Sequence, residues 1–279
     1  MSNNAANSVS PRPFLKWAGG KSKLISQYIP FFPQNFNTYY EPFLGGGAIF
    51  FHLLPKVAVL SDINPQLINV YCCVRDNVES LIALLEKHQE KHDRDFYYWM
   101  RSQNYQTSLE KAARLIYLNK TCFNGLYREN SQGQFNVPMG KYKKPLICQP
   151  DLLRSVSRTL QSTEIQIRGF TEVLPNAEKD DFVYFDPPYY PISTTSNFTA
   201  YSRYPFTKVE QIQLKDVFVE LSNKGVKVML SNSDCEFIRE LYKDFQIKEI
   251  LATRAINSQG NKRGKITEVL VMNYSNKNF

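Results

Sequence analysis

"DFVYFDPPYYP", residues 181–191, is the stretch from which the rest of the chain is read. Val183, Tyr184 and Phe185 form a short β-prone run. Pro187 and Pro188 then remove two backbone donors and stop the ladder. Asp186 is therefore expected at the carboxyl end of a strand, where open α/β sheets put ligands. A plain strand-ending turn would use the same residue types, since Asp and Pro are common in turns. The aromatic after the prolines and the features upstream decide between the two.

Upstream, Thr38–Glu41 reads as a strand leading into "EPFLGGGAIFFHL", in which Gly45 to Gly47 precede a helix over Ala48–Leu54. A second strand, Val57–Leu60, ends at Asp62, and Pro65 suits the first turn of a helix through residues 66–90. Helices continue to about residue 120, "SLEKAARLIYLNK" being the clearest amphipathic one. Residues 121–145 break the pattern with Gly125, Gly133 and Gly140, and read as a loop or hairpin. Beyond them come a strand at Phe182–Phe185, a helix across "KVEQIQLKDVFVELSNKG", a strand at "VKVMLSN" and a helix at "CEFIRELYKDF". Two strands, "QIKEILATR" and "ITEVLVMNY", close the chain. This alternation predicts an α/β fold: a mostly parallel sheet with an antiparallel closing pair, and a helical insertion between its two halves.

Composition sets the frame. The 279 residues suffice for one large α/β domain with a smaller inserted unit. Lys and Arg number 34 against 26 Asp and Glu, a net charge of +8 that suits a polyanionic partner but also an ordinary basic surface. Five cysteines without a C-x-x-C pair read as reduced thiols of a cytoplasmic protein. The polar opening "MSNNAANSVSPRP" lacks the apolar core of a signal peptide and is expected to be a flexible tail over residues 1–12. No apolar run approaches the length of a membrane span.

The glycine turn lets backbone approach a ligand without Cβ obstruction, although it matches neither a dinucleotide fingerprint nor a phosphate loop. Asp62, at the end of the next strand, stands where such sheets present a carboxylate to a ribose diol. It is equally placed to cap the following helix. Lys16, Trp17 and Lys21 around Gly19-Gly20 would make a lid for a nucleoside with an anionic tail, or else supply surface charge and a core indole.

"FLKWAGGK", "EPFLGGGAIFF", "LSDIN", "GLYRENSQGQFNVPMGKYKKP", "DPPY" and "NFTAY" occur in this order, and together resemble the Dam-type DNA adenine-N6 methyltransferases over residues 14 to about 265. The resemblance implies a Rossmann-like methyltransferase sheet, S-adenosylmethionine as cofactor, no metal, double-stranded DNA as partner and GATC as target. It implies that Trp17, Lys21, Glu41, Phe43, Gly45, Asp62 and Asp186 bind or border the cofactor, and that Asp186, Pro187, Pro188 and Tyr189 form the catalytic segment. The N6 amine of adenine is a poor nucleophile because its lone pair is delocalised into the ring. The Asp186 carboxylate and the Pro187 carbonyl can accept its two hydrogens and aim that lone pair at the methyl donor. Tyr189 offers a face to a base extruded from the duplex. The expected layout is a catalytic domain over residues 13–62 and 150–279, with residues 63–149 inserted as a target-recognition domain, in a monomer.

Within residues 120–144, five cations (Lys120, Arg128, Lys141, Lys143, Lys144) face one anion, Glu129, and interleave with Phe123, Tyr127, Phe135 and Tyr142. By resemblance Phe123 wedges into the base stack, and Asn124 fills the space left by the adenine. Leu126, Arg128 and Pro138 then read base edges. Lys120, Asn136, Lys141 and Tyr142 lie along the backbone or flanking bases, and Lys16 contacts the first guanine. Relative to the enteric enzymes, Phe stands for Tyr at 123 and Lys for Arg at 120 and 141, which keeps charge but loses the planar fork. Arg254, Lys262, Arg263 and Lys265 offer a second DNA-facing loop or a merely basic surface loop.

Other chemistries fit less well. Cytosine-C5 methylation needs a cysteine after proline, and no Pro-Cys pair exists. A zinc deaminase needs P-C-x-x-C beside H-x-E, and His88-Gln89-Glu90 supplies only the second, within a charged helix. A same-family enzyme with another target, or a catalytically inert DNA-binding homologue, remains open on sequence. So does the choice between a solitary enzyme and one paired with a restriction nuclease.

Overall fold

The computed structural model describes residues 9–192, 206–253 and 265–275. The "NFTAY" motif and residues 254–264 of the second basic run lie outside them. Two compact units divide the chain.

The first unit comprises residues 1–20, 45–54 and 62–167. It holds α2 (Ala48–Leu53), α3 (Pro65–Asp76), α4 (Val78–Glu90), α5 (Arg94–Ser102), α6 (Ser108–Thr121), α7 (Pro150–Leu160) and strand β3 (Thr163–Ile167). The single long helix expected after Pro65 is two helices, because Asn77 leaves helical geometry at φ −134° and ψ 34°. Pro65 does open α3, and the cap is Asn64, whose side chain accepts from the Gln66 and Leu67 N–H groups. Asp62 does not cap this helix. Apolar faces of α3, α4 and α6 converge on Leu67, Val70, Tyr71, Leu85, Leu115 and Tyr117, all essentially inaccessible.

The second unit comprises residues 21–44, 55–61 and 168–279. It holds α1 (Ile25–Tyr28), β1 (Tyr39–Glu41), β2 (Ala58–Asp62, its last residue belonging to the first unit), β4 (Phe182–Phe185), α8 (Lys208–Asn223), β5 (Lys227–Ser233), α9 (Glu236–Leu241), β6 (Gln246–Thr253) and β7 (Lys265–Met272). Every residue of β4 is buried, as expected for a strand covered on both faces. Thr207 starts α8 with a capping box closed by Glu210. Val183, Phe185, Leu214, Phe218, Val228, Leu230, Val269 and Val271 form the core of this unit.

Within the second unit the strand order is β2-β1-β4-β5-β7-β6. β1 pairs in parallel with β2 and with β4, and β4 with β5, whereas β7 runs antiparallel to β5 and to β6. The mixed sheet with an antiparallel closing pair is thus present. The order reverses between β1 and β4, so the segments leaving their carboxyl ends flank a topological switch point. Three expectations need correction besides the helix break. The helix α7 and strand β3 are absent from the sequence expectation, and the helix expected across residues 235–245 ends at Leu241.

Candidate functional site

In the second unit, Asp186 leaves the end of β4 with its carboxylate already engaged. Oδ1 accepts from the Lys21 ammonium at 2.8 Å and from the Ser231 hydroxyl at 2.7 Å. Lys21 is only 4% exposed, so its charge is stable there because it is paired. Its Nζ also lies 4.7 Å from the centre of the Tyr189 ring. The Tyr189 hydroxyl donates to Glu268 Oε2 at 2.8 Å, which fixes the ring at both its face and its tip. Burial raises the Glu268 carboxyl above the usual range, with Lys21 and the Tyr189 hydroxyl pulling it back. Pro187 is buried and Pro188 exposed.

Glu41 ends β1 at 3% exposure and accepts from the Tyr39 hydroxyl at 2.9 Å. Phe43, half-buried, follows it and stacks on Phe170 with centroids 5.7 Å apart, while Phe185 and Phe206 present edges to it.

In the first unit, Trp17, Gly45 and Asp62 come together. Asp62 Oδ2 accepts from the Gly45 N–H at 3.1 Å and Oδ1 from the Asn64 N–H at 3.0 Å. Burial raises its pKa, and these backbone donors oppose the rise. Gly45 adopts φ +48°, and a Cβ there would come within 2.9 Å of the Trp17 indole. Glycine is therefore required both for conformation and for space. On its other contact Trp17 stacks with Tyr127 at 5.5 Å.

Residues 121–140 form a hairpin held by few main-chain bridges, Cys122 with Met139 and Glu129 with Phe135. Asn119, 2% exposed, ties its base to the amino-terminal segment: it accepts from the Lys16 N–H at 2.8 Å and donates to the Lys16 and Gly125 carbonyls. Phe123 stands 49% exposed, and Asn124 beside it takes the left-handed conformation at φ 54°. Leu126 is half-buried and Pro138 exposed; the Pro138 carbonyl accepts from the Phe123 N–H at 2.9 Å. Arg128 Nε donates to Asn136 Oδ1 at 2.6 Å and Nη2 to the Asn136 carbonyl at 3.2 Å. Asn136, expected along the backbone of a bound duplex, has its side chain directed at Arg128.

The Lys16 ammonium lies 4.0 Å over the Tyr142 ring, and Lys141 is exposed. Burial, with Lys16 and Arg12 nearby, pushes Lys120 down to about 8. His88 and His92 both set their rings against Tyr117, in structural roles.

Ser231, Glu268 and Asn119 touch these constellations and escaped the sequence reading, which places Tyr127 only among the aromatics of the basic hairpin. "LSNS", residues 230–233, was a usable signal: consecutive polar residues inside a run that is otherwise a buried strand. Glu268 offered none, since one acid in "ITEVLVMNY" reads as a solvent-facing residue. Among the described residues no group of three or more His, Cys, Asp or Glu side chains is placed to hold a metal ion. The donor sets do fit parts of S-adenosylmethionine. Each Asp62 oxygen accepts one backbone N–H and keeps acceptor capacity for a ribose hydroxyl.

Comparison with known proteins gives a matching family model and relatives of two named kinds. Residues 17–256 match the model of the D12 class N6 adenine-specific DNA methyltransferase family. The chain is 45% identical to Type II methyltransferase M1.LlaDCHI of Lactococcus lactis subsp. cremoris, over 97% of this chain and 98% of that one. It is 41% identical to Type II methyltransferase M.MjaIII of Methanocaldococcus jannaschii, over 94% and 99%. It is 36% identical to a DNA adenine methylase of Haemophilus influenzae, over 94% and 93%.

Proposed function

This chain belongs to the D12 class N6 adenine-specific DNA methyltransferase family, and from that premise we propose that it methylates the adenine of GATC in double-stranded DNA. It is a site-specific adenine methyltransferase whose methyl donor is S-adenosylmethionine. The two relatives named as Type II methyltransferases favour a role beside a restriction nuclease.

The observation that carries the mechanism is Asp186 at the end of β4, with Lys21 and Ser231 both on Oδ1. Those two bonds hold the carboxylate in one orientation. Oδ2 takes part in neither, and it is assigned one N6 hydrogen of the target adenine; the Pro187 carbonyl is assigned the other. Accepting both hydrogens draws the lone pair out of conjugation and points it away from the two acceptors. The cofactor, when bound, supplies an electrophilic methyl group on a positively charged sulfur. The methylated nitrogen must shed one proton, and the Asp186 carboxylate, 20% exposed, can accept it and pass it to solvent. Tyr189, immobilised by Glu268 and Lys21, offers its remaining face to the extruded base. Asp62 is assigned the ribose diol, with Trp17 and Gly45 bordering the same cofactor. Glu41 and Phe43 are assigned to its binding as well.

Residues 63–149 are assigned to target recognition. The exposed Phe123 suits a wedge and Asn124 the emptied stack. Arg128 is assigned to base edges together with Leu126 and Pro138, and Asn136 to holding the Arg128 fork. Lys16 is assigned the first guanine, and Lys120, Lys141 and Tyr142 the backbone and flanking bases.

The test is transfer of tritiated methyl groups to duplexes containing GATC or its single-base variants, followed by nucleoside digestion. N6-methyldeoxyadenosine, formed preferentially in GATC, is expected. Equal labelling of all variants would remove the target assignment, and no labelled adenine would remove the activity.

A further inference from the structure

The segment Asp186–Tyr189 cannot tie itself down, since its two prolines offer no N–H. Besides the side-chain contacts of Asp186 and Tyr189, its main chain is held by two side chains whose residues are completely buried, Gln211 on α8 and Asn232 on β5. Gln211 Nε2 donates to the Pro188 carbonyl at 2.9 Å, and its Oε1 accepts from Asn232 Nδ2 at 2.9 Å. Asn232 Oδ1 in turn accepts from the Tyr190 N–H at 3.1 Å and from the Ser233 N–H at 2.8 Å. Ser233 Oγ closes the loop by donating to the Tyr190 carbonyl at 2.7 Å. The residues on either side of Tyr189 are thus gripped from one buried amide pair.

We propose that Gln211 and Asn232 are positioning residues for methyl transfer: by fixing the Pro188 carbonyl they set the direction of the Pro187 carbonyl. The reasoning is geometric. The ring of Pro188 locks φ near −65°, so only ψ remains soft at that residue. Fixing the Pro188 carbonyl fixes ψ. The preceding peptide plane, which carries the Pro187 oxygen, then has no rotation left relative to the clamp. One of the two acceptors assigned to the adenine amine is aimed in this way by groups that never touch it. Burying two amides where apolar side chains of the same size would pack adds little stability, because hydrogen bonds gained on folding replace bonds to water. What the pair does add is a single orientation. The inference rests on the assignment of Pro187 under the proposed function.

The test uses the full chain with Gln211→Met and Asn232→Leu combined, which removes both amides and leaves no half-paired partner between them. Single-turnover methyl transfer is expected to fall about 100-fold, the scale associated with misplacing a reacting group by an ångström. Affinities for S-adenosylmethionine and for the duplex should stay within about twofold, because neither residue is assigned to a ligand. Gln211→Asn, one methylene shorter, keeps a buried amide but cannot span to Pro188, and should show the same loss of rate. That variant also serves if the double variant does not fold. A folded double variant or Gln211→Asn variant that transfers methyl groups at close to the wild-type rate would overturn the clamp. So would an equal fall in rate and in both affinities, which marks a structural role. Wild type that methylates no adenine would instead defeat the functional reading on which the clamp rests.

Discussion

Lys21 and Asp186 meet at 2.8 Å, and the ammonium of that pair is 4% exposed. The cation arrives from the turn after Gly19-Gly20 and the anion from the end of β4, 165 positions apart in sequence (186 minus 21). Lys21 therefore serves the carboxylate directly, and the same ammonium lies over the Tyr189 ring and offsets the charge of Glu268. Removing it takes from Asp186 its ion-pair partner and from Glu268 the cation that offsets its charge.

Lys21→Met should accordingly destabilise the fold by about 3 kcal/mol, since breaking a buried pair strands the partner charge. Single-turnover methyl transfer should also fall, by about 100-fold, because the Asp186 carboxylate loses the partner that fixes its orientation. Urea unfolding and single-turnover rates check both parts. A folded variant that transfers methyl groups at the wild-type rate would contradict the assigned role.

Asp62→Ala should raise KM for S-adenosylmethionine about tenfold or more, the scale of one lost charge-assisted hydrogen bond, while leaving duplex affinity near wild type. Asn64 remains to cap α3, so the helix should persist by circular dichroism. Calorimetry showing unchanged cofactor binding would confine Asp62 to bracing the Gly45 turn.

Lys120 carries the clearest pH prediction. Its pKa of about 8 in the unbound protein means that it is charged below that pH and neutral above it. Phosphate favours the charged form, so duplex binding takes up a proton. Affinity should fall by up to about tenfold per pH unit between roughly pH 8 and 9.5. Lys120→Arg should abolish this slope, because guanidinium stays charged. Binding should also weaken with salt at a slope of about −0.9 per phosphate contact. Fluorescence anisotropy across pH and salt reads both effects.

Arg128→Ala should relax discrimination within the target by about 1–3 kcal/mol, so that near-cognate duplexes gain relative to the best one. Asn136→Ala should relax it in the same direction by less, since it frees the fork that Asn136 now holds. Lys143→Ala, on an exposed surface lysine, should lower methylation of all duplexes alike. A sequenced competition over single-base variants separates these patterns.

Much of the sheet was legible because its strands are short apolar runs with proline and glycine punctuation, as at Val183–Phe185 before Pro187. The break at Asn77 was not, because apolar spacing continues through it and only the backbone reveals the turn. β3 was missed for a different reason: its five residues include Thr163, Glu164 and Gln166, so no apolar run of the kind seen at Val183–Phe185 marks it. At the site, Asp186 and Tyr189 could be singled out by local sequence. Their partners Lys21, Ser231 and Glu268 come from three remote segments, and their convergence is a product of the fold alone. The Arg128–Asn136 bonds likewise follow from hairpin register, which glycine-rich polar segments specify weakly.

The most direct test of adenine-N6 methylation at GATC directed by Asp186 is long-read sequencing of a methylation-free host genome after expression of this chain. Wild type should leave N6-methyladenine at GATC and Asp186→Ala, soluble and folded, should leave almost none, its rate falling by about 2.7–4 kcal/mol of transition-state stabilisation. Methylation at a different sequence would contradict the target, and a soluble Asp186→Ala protein that marks the genome as fully as wild type would contradict the mechanism.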